Sequence, residues 1–410
     1  MKSIGIIVLN LMVVCLYGQS LSEYVDIALA NNPAIRARQM EAEVTRQKID
    51  QVTALPDPQV NISAFMNPMM LPMGNQVGSV SAMQMFPWFG SLDARSQEIQ
   101  SQIGVDEKMI DVSRNELSYR IKVAWIPLQE IEEKIKIKKE NLRILQNDHD
   151  LASAKFQFGK GPMVNVVRAD IMIDELKTDI TLLEQKRKPL VAVFNHLLNR
   201  PEETPIQIDG QLAEPNEYEV SDSNRNISDN PNLLVYDEKM RLSDAQANSA
   251  EFMRKPMIGA GLQYMLQVQR KNNDINLLPN TGKDMIMPMF SLTIPIWKKK
   301  YDAAVQEREV MKTVYLSEKE ALENDLASVL AMTVYEIDEA SQKWELIENQ
   351  KIKVRQAIDL LEAAYQNDGN DFEEMLRLQQ KLFNYQLEEV SIKKDLHIAL
   401  AKREYLIGKK

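Results

Sequence analysis

The sequence predicts a mainly α-helical fold, in which long antiparallel coiled-coil helices accompany four β-strands that contribute to a β-barrel shared by several copies of the chain. Three observations predict it: an internal two-fold repeat, long heptad seams, and segments of about ten residues that alternate between apolar and polar residues. A helix of about 65 residues spans roughly 100 Å, which no ordinary globular core accommodates. The helices must therefore pair with one another.

The chain begins with a segment typical of a secretory signal peptide. Lys2 precedes an apolar run, and small or polar residues follow that run. We therefore predict a signal peptide at residues 1–18 and an exported mature protein. The single cysteine, Cys15, lies within this run. Lipidation of Cys15 is the alternative to its removal, although the residue before a lipidated cysteine is normally small and here is Val14.

Length and charge exclude several classes of protein. The 410 residues are enough for two or three ordinary domains, and the net charge of −10 argues against a nucleic-acid partner, because phosphate backbones need clustered Lys and Arg. Beyond residue 20 the sequence contains no run of 18 or more apolar residues. If the protein crosses a membrane, strands rather than helices must cross it.

The internal repeat is visible in short motifs. The Asn-Pro pair at 32–33 recurs at 230–231, and the FPWF segment at 86–89 is answered by IPIW at 294–297. These matches predict a first repeat at residues 19–200, a linker at 201–226 and a second repeat at 227–410.

Heptad seams give the repeat its strongest support. Apolar residues follow one another in alternating steps of four and three from Leu117 to Phe156, and again from Leu326 to Tyr365. A shorter return helix with the same spacing follows each of them. Pro127 and Pro189 lie inside these patterns and should bend their helices locally.

Two strand-like segments precede each long helix. In the second repeat, alternate residues from Ile258 to Val268 are apolar, while the residues between them are polar, small or methionine. This alternation is typical of an outer-membrane barrel, apolar towards lipid and polar towards a lumen. The alternative is a small soluble sheet packed on a helix. Four strands cannot close a barrel, so we predict three chains that together supply twelve.

Each repeat places a proline and aromatic residues where a strand gives way to a helix. The proline should end the strand, and the aromatic rings suit the interface between lipid and water. These candidate joins are Pro87, Trp88, Phe89, Gly90, Pro295 and Trp297.

The sequence resembles the TolC family of outer-membrane efflux proteins, which includes a heavy-metal branch. The resemblance rests on LSEYVDIALANNPAI (21–35), QMFPWFG (84–90), FQFGKGPMVNVVRAD (156–170), YQNDGNDFEEMLRLQ (365–379) and the two-copy layout. It implies a passive homotrimeric channel in the cell outer membrane, with a long helical tunnel in the periplasm. It also implies docking with a periplasmic adaptor protein and an inner-membrane pump, of the RND type in this family.

The resemblance assigns roles to the two hairpin tips. The candidate adaptor-docking residues are Gly159, Lys160, Gly161, Pro162, Gly369 and Asn370. In the family, inward acidic side chains on the second tip close the tunnel, and the candidates here are Asp368, Asp371, Glu373 and Glu374. The alternative is that these carboxylates cap the following helix.

No motif indicates an enzyme, a resident cofactor or a bound metal centre, and the three histidines are predicted to be structural. The 22 methionines leave the cargo open. Thioethers suit Cu(I) or Ag(I), but methionine also serves as a flexible apolar filler. A secreted coiled-coil scaffold without transport activity is the alternative function.

Overall fold

The computed structural model describes residues 20–72, 74–208, 212–214, 226–269, 282–366 and 372–409. The predicted signal peptide and much of the predicted linker lie outside these residues.

The described chain contains seven helices and four strands. The helices are α1 Leu21–Asn31, α2 Pro33–Thr53, α3 Ser91–Gln157, α4 Met163–Leu197, α5 Pro231–Phe252, α6 Lys298–Gln366 and α7 Phe372–Ile407. The strands are β1 Gln59–Leu71, β2 Gly74–Phe86, β3 Met257–Val268 and β4 Met285–Thr293. The order of helix, hairpin, long helix and return helix occurs twice, which confirms the predicted fold class and its two-fold repeat.

The four strands form one antiparallel sheet in the order β1-β2-β3-β4. Pro68 lies in β1 and Pro288 in β4, the two edge strands. Within one chain, an edge strand tolerates proline because the missing N–H on its outer side costs no hydrogen bond of this sheet. Apolar and polar residues alternate clearly only from Phe290 to Ile294, but β4 starts at Met285. The residues before Phe290 do not read as a strand in the sequence, because Pro288 lies among them and proline normally argues against strand structure.

The described residues divide into two compact units. The first unit lies within Met1–Arg36, Ser113–Asn230 and Asp325–Lys410. Its interior holds three buried clusters. The first is centred on the rings of Tyr24, Trp125 and Phe194, whose centroids are 5.3 Å apart in each pair.

The other two clusters follow the predicted heptad seams. One contains Leu145, Ala152 and Ile173 together with Phe372 and Met375, and the other is built around Ile337 and Leu396. Pro127 lies within α3 and Pro189 within α4, and both helices continue through them.

Two lysines interrupt the seams and are nevertheless buried. Lys138 of α3 lies 2.7 Å from an Asp179 carboxylate oxygen of α4. Lys351 of α6 contacts Glu348 and Glu389. In each repeat, a buried cation on the long helix is thus neutralised by a carboxylate on the return helix, which offsets the cost of burying it.

The second unit comprises Ala37–Val112 and the described part of Pro231–Asn324. It contains the sheet, most of α2, the start of α3, α5 and the start of α6. Helix pairs in this unit are joined by polar contacts. The Thr45 hydroxyl donates to Asp106 Oδ2 at 2.6 Å, and Lys319 Nζ lies 2.7 Å from Asp237 Oδ1.

Among the described residues, no helix is both long enough and apolar enough to cross a membrane.

Candidate functional site

The apolar side chains of one sheet face lie in registered rows across all four strands. The central row contains Ile62, Val80, Tyr264 and Ile286. The next row contains Val60, Ala82, Leu262 and Pro288. These side chains are not covered: Ile62 is 78% exposed and Leu262 is 60% exposed. We call this surface the apolar face.

The opposite face is more polar and less exposed. The Ser63 and Ser79 hydroxyls are 2.9 Å apart, and the Gln263 amide donates to the Ser79 hydroxyl at 3.1 Å. Ser79 is only 6% exposed. A soluble sheet buries its apolar side chains and leaves its polar ones in water, so this sheet has the reverse arrangement.

Methionines share the polar face with these hydrogen-bonded side chains. A Cβ placed on Gly259 would lie 2.7 Å from the Met85 sulfur and 3.2 Å from the Met83 sulfur. Both thioethers of β2 therefore lie over the groove that the glycines leave in β3. Met287 and Met289 of β4 pair with Gln263 and Gly261 and lie on the same face. Their grouping could have been found by extending the two-residue alternation through KDMIMPMF.

The first strand-to-helix join contains a tight turn. Its pivot is Gly90, with φ of +81°, a conformation that favours glycine. A Cβ there would lie 3.0 Å from the Phe252 ring. The Ser91 N–H donates to the Trp88 carbonyl at 2.9 Å, and Phe89 is 84% exposed. The chain thus leaves β2 at Phe86 and enters α3 within a few residues, as predicted for the proline.

The second join contains Pro295 and Trp297, between the end of β4 and the start of α6. Trp297 is largely exposed, and the Lys300 N–H donates to its carbonyl at 3.3 Å. Pro295 lines the same cavity as Pro87 and Trp88 of the first join. The structure thus brings the two predicted joins together.

The first hairpin tip ends α3 with a Schellman motif. The Lys160 N–H donates to the Lys155 carbonyl at 2.8 Å, and the Gly159 N–H donates to the Phe156 carbonyl at 3.0 Å. Gly159 has φ of +69°, as the motif requires. Gly161 follows, and Pro162 precedes the first residue of α4. Most of this tip is exposed, and it offers a fixed turn that another protein could contact.

Only part of the second hairpin tip can be described. The candidates Asp368, Gly369, Asn370 and Asp371 lie outside the described residues. Glu374 accepts a hydrogen bond from Arg377, which lowers the pKa of the Glu374 carboxyl.

The neighbouring residues of this tip are fixed more firmly. The Glu373 carboxylate lies 3.1 Å from the Arg168 guanidinium of α4. Phe372 is fully buried in the cluster that also holds Val166. The start of α7 is thereby anchored to α4.

A buried carboxylate that the sequence analysis did not identify lies near this cluster. Asp148 of α3 lies on the seam between Leu145 and Ala152 and is buried, and its Oδ2 atom has no hydrogen-bond partner among the described residues. Burial raises the pKa of Asp148 from 3.8 to about 6, against the lowering effect of a hydrogen bond from Gln379, and the Glu362 charge adds to the increase. Because the folded state holds this proton more tightly, stability decreases as the pH rises from about 4 to about 6.

The histidines make ordinary contacts. His149 Nε2 lies 3.3 Å from Asp170, and His397 Nε2 lies 3.2 Å from the Ala213 carbonyl oxygen. Among the described residues, no group of three or more His, Cys, Asp or Glu side chains is arranged to hold a metal ion.

The sequence matches no protein-family model and no curated protein significantly. Solved structures do match. Residues covering 97% of this chain superpose on 96% of a CusC chain with a TM-score of 0.74 and 14% identity, in a study of folding and transmembrane channel formation. The open-state outer-membrane channel MtrE of Neisseria gonorrhoeae gives a TM-score of 0.70 and 14% identity over 95% of this chain and 88% of that one. The outer-membrane protein VceC of Vibrio cholerae gives 0.69 and 12%, over 95% and 96%.

The fold is thus that of outer-membrane channel proteins. At identities of 12 to 14%, the similarity defines the fold only, and the role of this chain has to be argued from its own residues.

Proposed function

We propose that this chain is the outer-membrane channel of a tripartite efflux system, and that it works as a passive homotrimeric duct. The observation that carries the proposal is the uncovered apolar face, four strands wide, opposite a hydrogen-bonded polar face. Such a sheet is stable when lipid covers the first face and a water-filled lumen lies against the second. Trp88, Phe89 and Trp297 then lie at the end of the strands, where amphipathic rings favour the membrane interface.

Three copies follow from the two free edges of the sheet. Among the described residues, no strand pairs with the outer edge of β1 or of β4 in the order β1-β2-β3-β4. An unpaired edge in lipid costs several kcal/mol for each unsatisfied backbone group. Pairing β4 of one chain with β1 of the next removes both edges. Twelve strands from three chains enclose a lumen wider than side chains can fill.

The hairpin tips are proposed to dock with a periplasmic adaptor, which connects the duct to an inner-membrane pump of the RND type. The exposed Schellman turn at Gly159 to Pro162 and the second tip at Gly369 and Asn370 are the proposed contact points. Asp368, Asp371 and Glu374 are the proposed gate. Three-fold repetition of even one such carboxylate makes a negative ring that favours cations.

A secreted coiled-coil scaffold is the alternative function, and the exposed apolar face argues against it. A scaffold in water gains nothing from an uncovered row such as Ile62, Val80, Tyr264 and Ile286. Planar-bilayer recording tests the choice. We expect the purified protein to insert and produce stepwise, cation-preferring conductance. Absence of conductance from protein that is folded by circular dichroism would contradict the channel proposal.

Heavy-metal ions such as Cu(I) or Ag(I) are the proposed cargo. The supporting observation is the pair of thioethers from Met83 and Met85 on the polar face, since soft sulfur ligands suit these ions. Isothermal titration of Ag(I) into the purified protein tests it. The double variant Met83→Leu with Met85→Leu should bind Ag(I) more weakly, whereas Met66→Leu with Met70→Leu removes two exposed thioethers of β1 and should change nothing. Equal binding by the two variants would exclude the polar-face methionines.

A further inference from the structure

A cavity of about 310 Å³ lies at the end of the sheet where both strand-to-helix joins meet. Its lining includes Met257 at the start of β3 and Thr293 at the end of β4. The apolar face ends one residue away, in the row of Phe86, Ile258 and Leu292. The cavity therefore lies at the border of the apolar face.

Among the described residues that line this cavity, three are cations and none is a carboxylate. They are Arg95 of α3, Lys255 in the turn after α5, and Lys300 in the first turn of α6. Within the described residues, none of the three has an ion-pair partner, whereas the neighbouring Arg254 is already paired with Asp302 at 3.3 Å. Three positive charges brought together from separate segments repel one another, so an anion among them would be stabilised.

A buried hydroxyl gives an independent indication of a ligand. Ser249 of α5 lines the cavity, is 3% exposed, and has no hydrogen-bond partner for its Oγ atom within the described residues. A buried hydroxyl without a partner is costly, and few native structures keep one without a reason. A phosphate oxygen in the cavity would supply the missing acceptor.

The charge at the start of α6 gives a third indication. Its first three residues, Lys298, Lys299 and Lys300, are all basic, and the first turn contains no acidic residue. A helix N-terminus carries partial positive charge and favours acidic residues, so this arrangement is locally unfavourable. A bound anion would offset the repulsion.

We propose that this cavity binds the phosphate headgroup of an anionic phospholipid. A lipid source fits better than free phosphate because the apolar face begins one residue away, so that the acyl chains of the same molecule would lie against Phe86, Ile258 and Leu292. Trp88 and Tyr301, which also line the cavity, suit the headgroup level. The inference rests on the proposed function, because it needs the apolar face to be in lipid.

Native mass spectrometry of the full-length protein in detergent tests the inference, with phosphatidylglycerol and phosphatidylcholine supplied in equal amounts. We expect at least tenfold preferential retention of phosphatidylglycerol. The triple variant Arg95→Gln, Lys255→Gln and Lys300→Gln should lose this preference. The control variant Arg38→Gln, Lys48→Gln and Arg308→Gln removes three positive charges from the same unit outside the cavity. It should keep the preference for phosphatidylglycerol.

A substitution that changes no charge distinguishes a specific lipid site from general attraction between the positive charges and an anionic lipid. Ser249→Ala should reduce phosphatidylglycerol retention several-fold and raise the melting temperature of delipidated protein, because it removes an unpartnered buried hydroxyl. Equal retention of the two lipids by the wild type, or full retention by both the triple variant and Ser249→Ala, would overturn the inference. Displacement of the lipid by millimolar inorganic phosphate would overturn the choice of a lipid source.

The experiments distinguish refutation of the channel proposal from refutation of the headgroup site. Protein that conducts in planar bilayers but shows no lipid preference leaves the channel proposal standing and removes the headgroup site. Protein that neither conducts nor retains lipid removes both.

Discussion

Placing one charge on the apolar face should block membrane assembly, whereas the same charge one residue away should not. Ile62 pairs with Val80, which is the middle residue of β2, so Ile62 lies near the midplane of the proposed membrane span. Its side chain is 78% exposed on the apolar face. Asn61, its neighbour in β1, pairs with Ser81 and lies on the polar face. Ile62→Arg and Asn61→Arg are therefore a matched pair.

The expected cost follows from the position of the charge. An arginine on the lipid face at the midplane costs about 2 to 4 kcal/mol, and three chains multiply this to about 6 to 12 kcal/mol for a trimer. Total stabilities of folded proteins are about 5 to 15 kcal/mol, so the Ile62→Arg trimer should be at the limit of stability. Asn61→Arg places its charge towards water and should change stability by about 0.5 kcal/mol or less.

Urea titration of protein folded into lipid vesicles measures the difference in stability between the two variants. The readout is the fraction of protein that runs on unheated gels as an oligomer and dissociates on heating. Ile62→Arg should unfold at much lower urea than the wild type, and Asn61→Arg should match the wild type. If the two variants behave alike, the assignment of lipid to the apolar face is wrong. Correct folding of both in aqueous buffer would favour the scaffold instead.

Three further predictions concern the tips and a join. Asp148→Asn should stabilise the protein by up to about 3 kcal/mol at neutral pH, the equivalent of raising a pKa from 3.8 to about 6, and the gain should disappear below about pH 4 in thermal melts; a gain that is constant with pH would refute burial of the charge. Asp368→Ala combined with Asp371→Ala should raise single-channel conductance and weaken cation preference, and unchanged conductance would remove both residues from the gate. Gly90→Ala should lower the free energy of unfolding by about 1 to 2 kcal/mol, because φ is +81° and the added Cβ would press on Phe252; an unchanged melting temperature would contradict this.

Patterns with a short period could be predicted from the sequence. The alternation from Ile258 to Val268 identified β3, and the seams identified α3 and α6, because strand and helix periods appear directly in the order of residues. The joins were visible because proline next to aromatic residues is a local signal. Pro288 masked half of β4, since its tolerance there depends on the strand lying at the sheet edge.

Features that depend on distant segments were not visible. Asp148 differs little in sequence context from an exposed aspartate, and its burial follows from packing between helices. Arg95, Lys255 and Lys300 come from three separate segments, and only the sheet register and the two joins bring them to one cavity. Long-range convergence of this kind has no period, so a single sequence cannot indicate it.

The central claim is that this chain forms a lipid-embedded oligomer of three copies, because its sheet, in the part of the chain that the structure describes, has an uncovered apolar face and two free edges. The mass of the detergent-solubilised protein, measured by sedimentation with correction for bound detergent, tests the claim most directly. The account predicts about three chain masses, each close to the 47.0 kDa of the full chain, and loss of solubility when detergent is removed. A monomer that stays folded and soluble without detergent would contradict it.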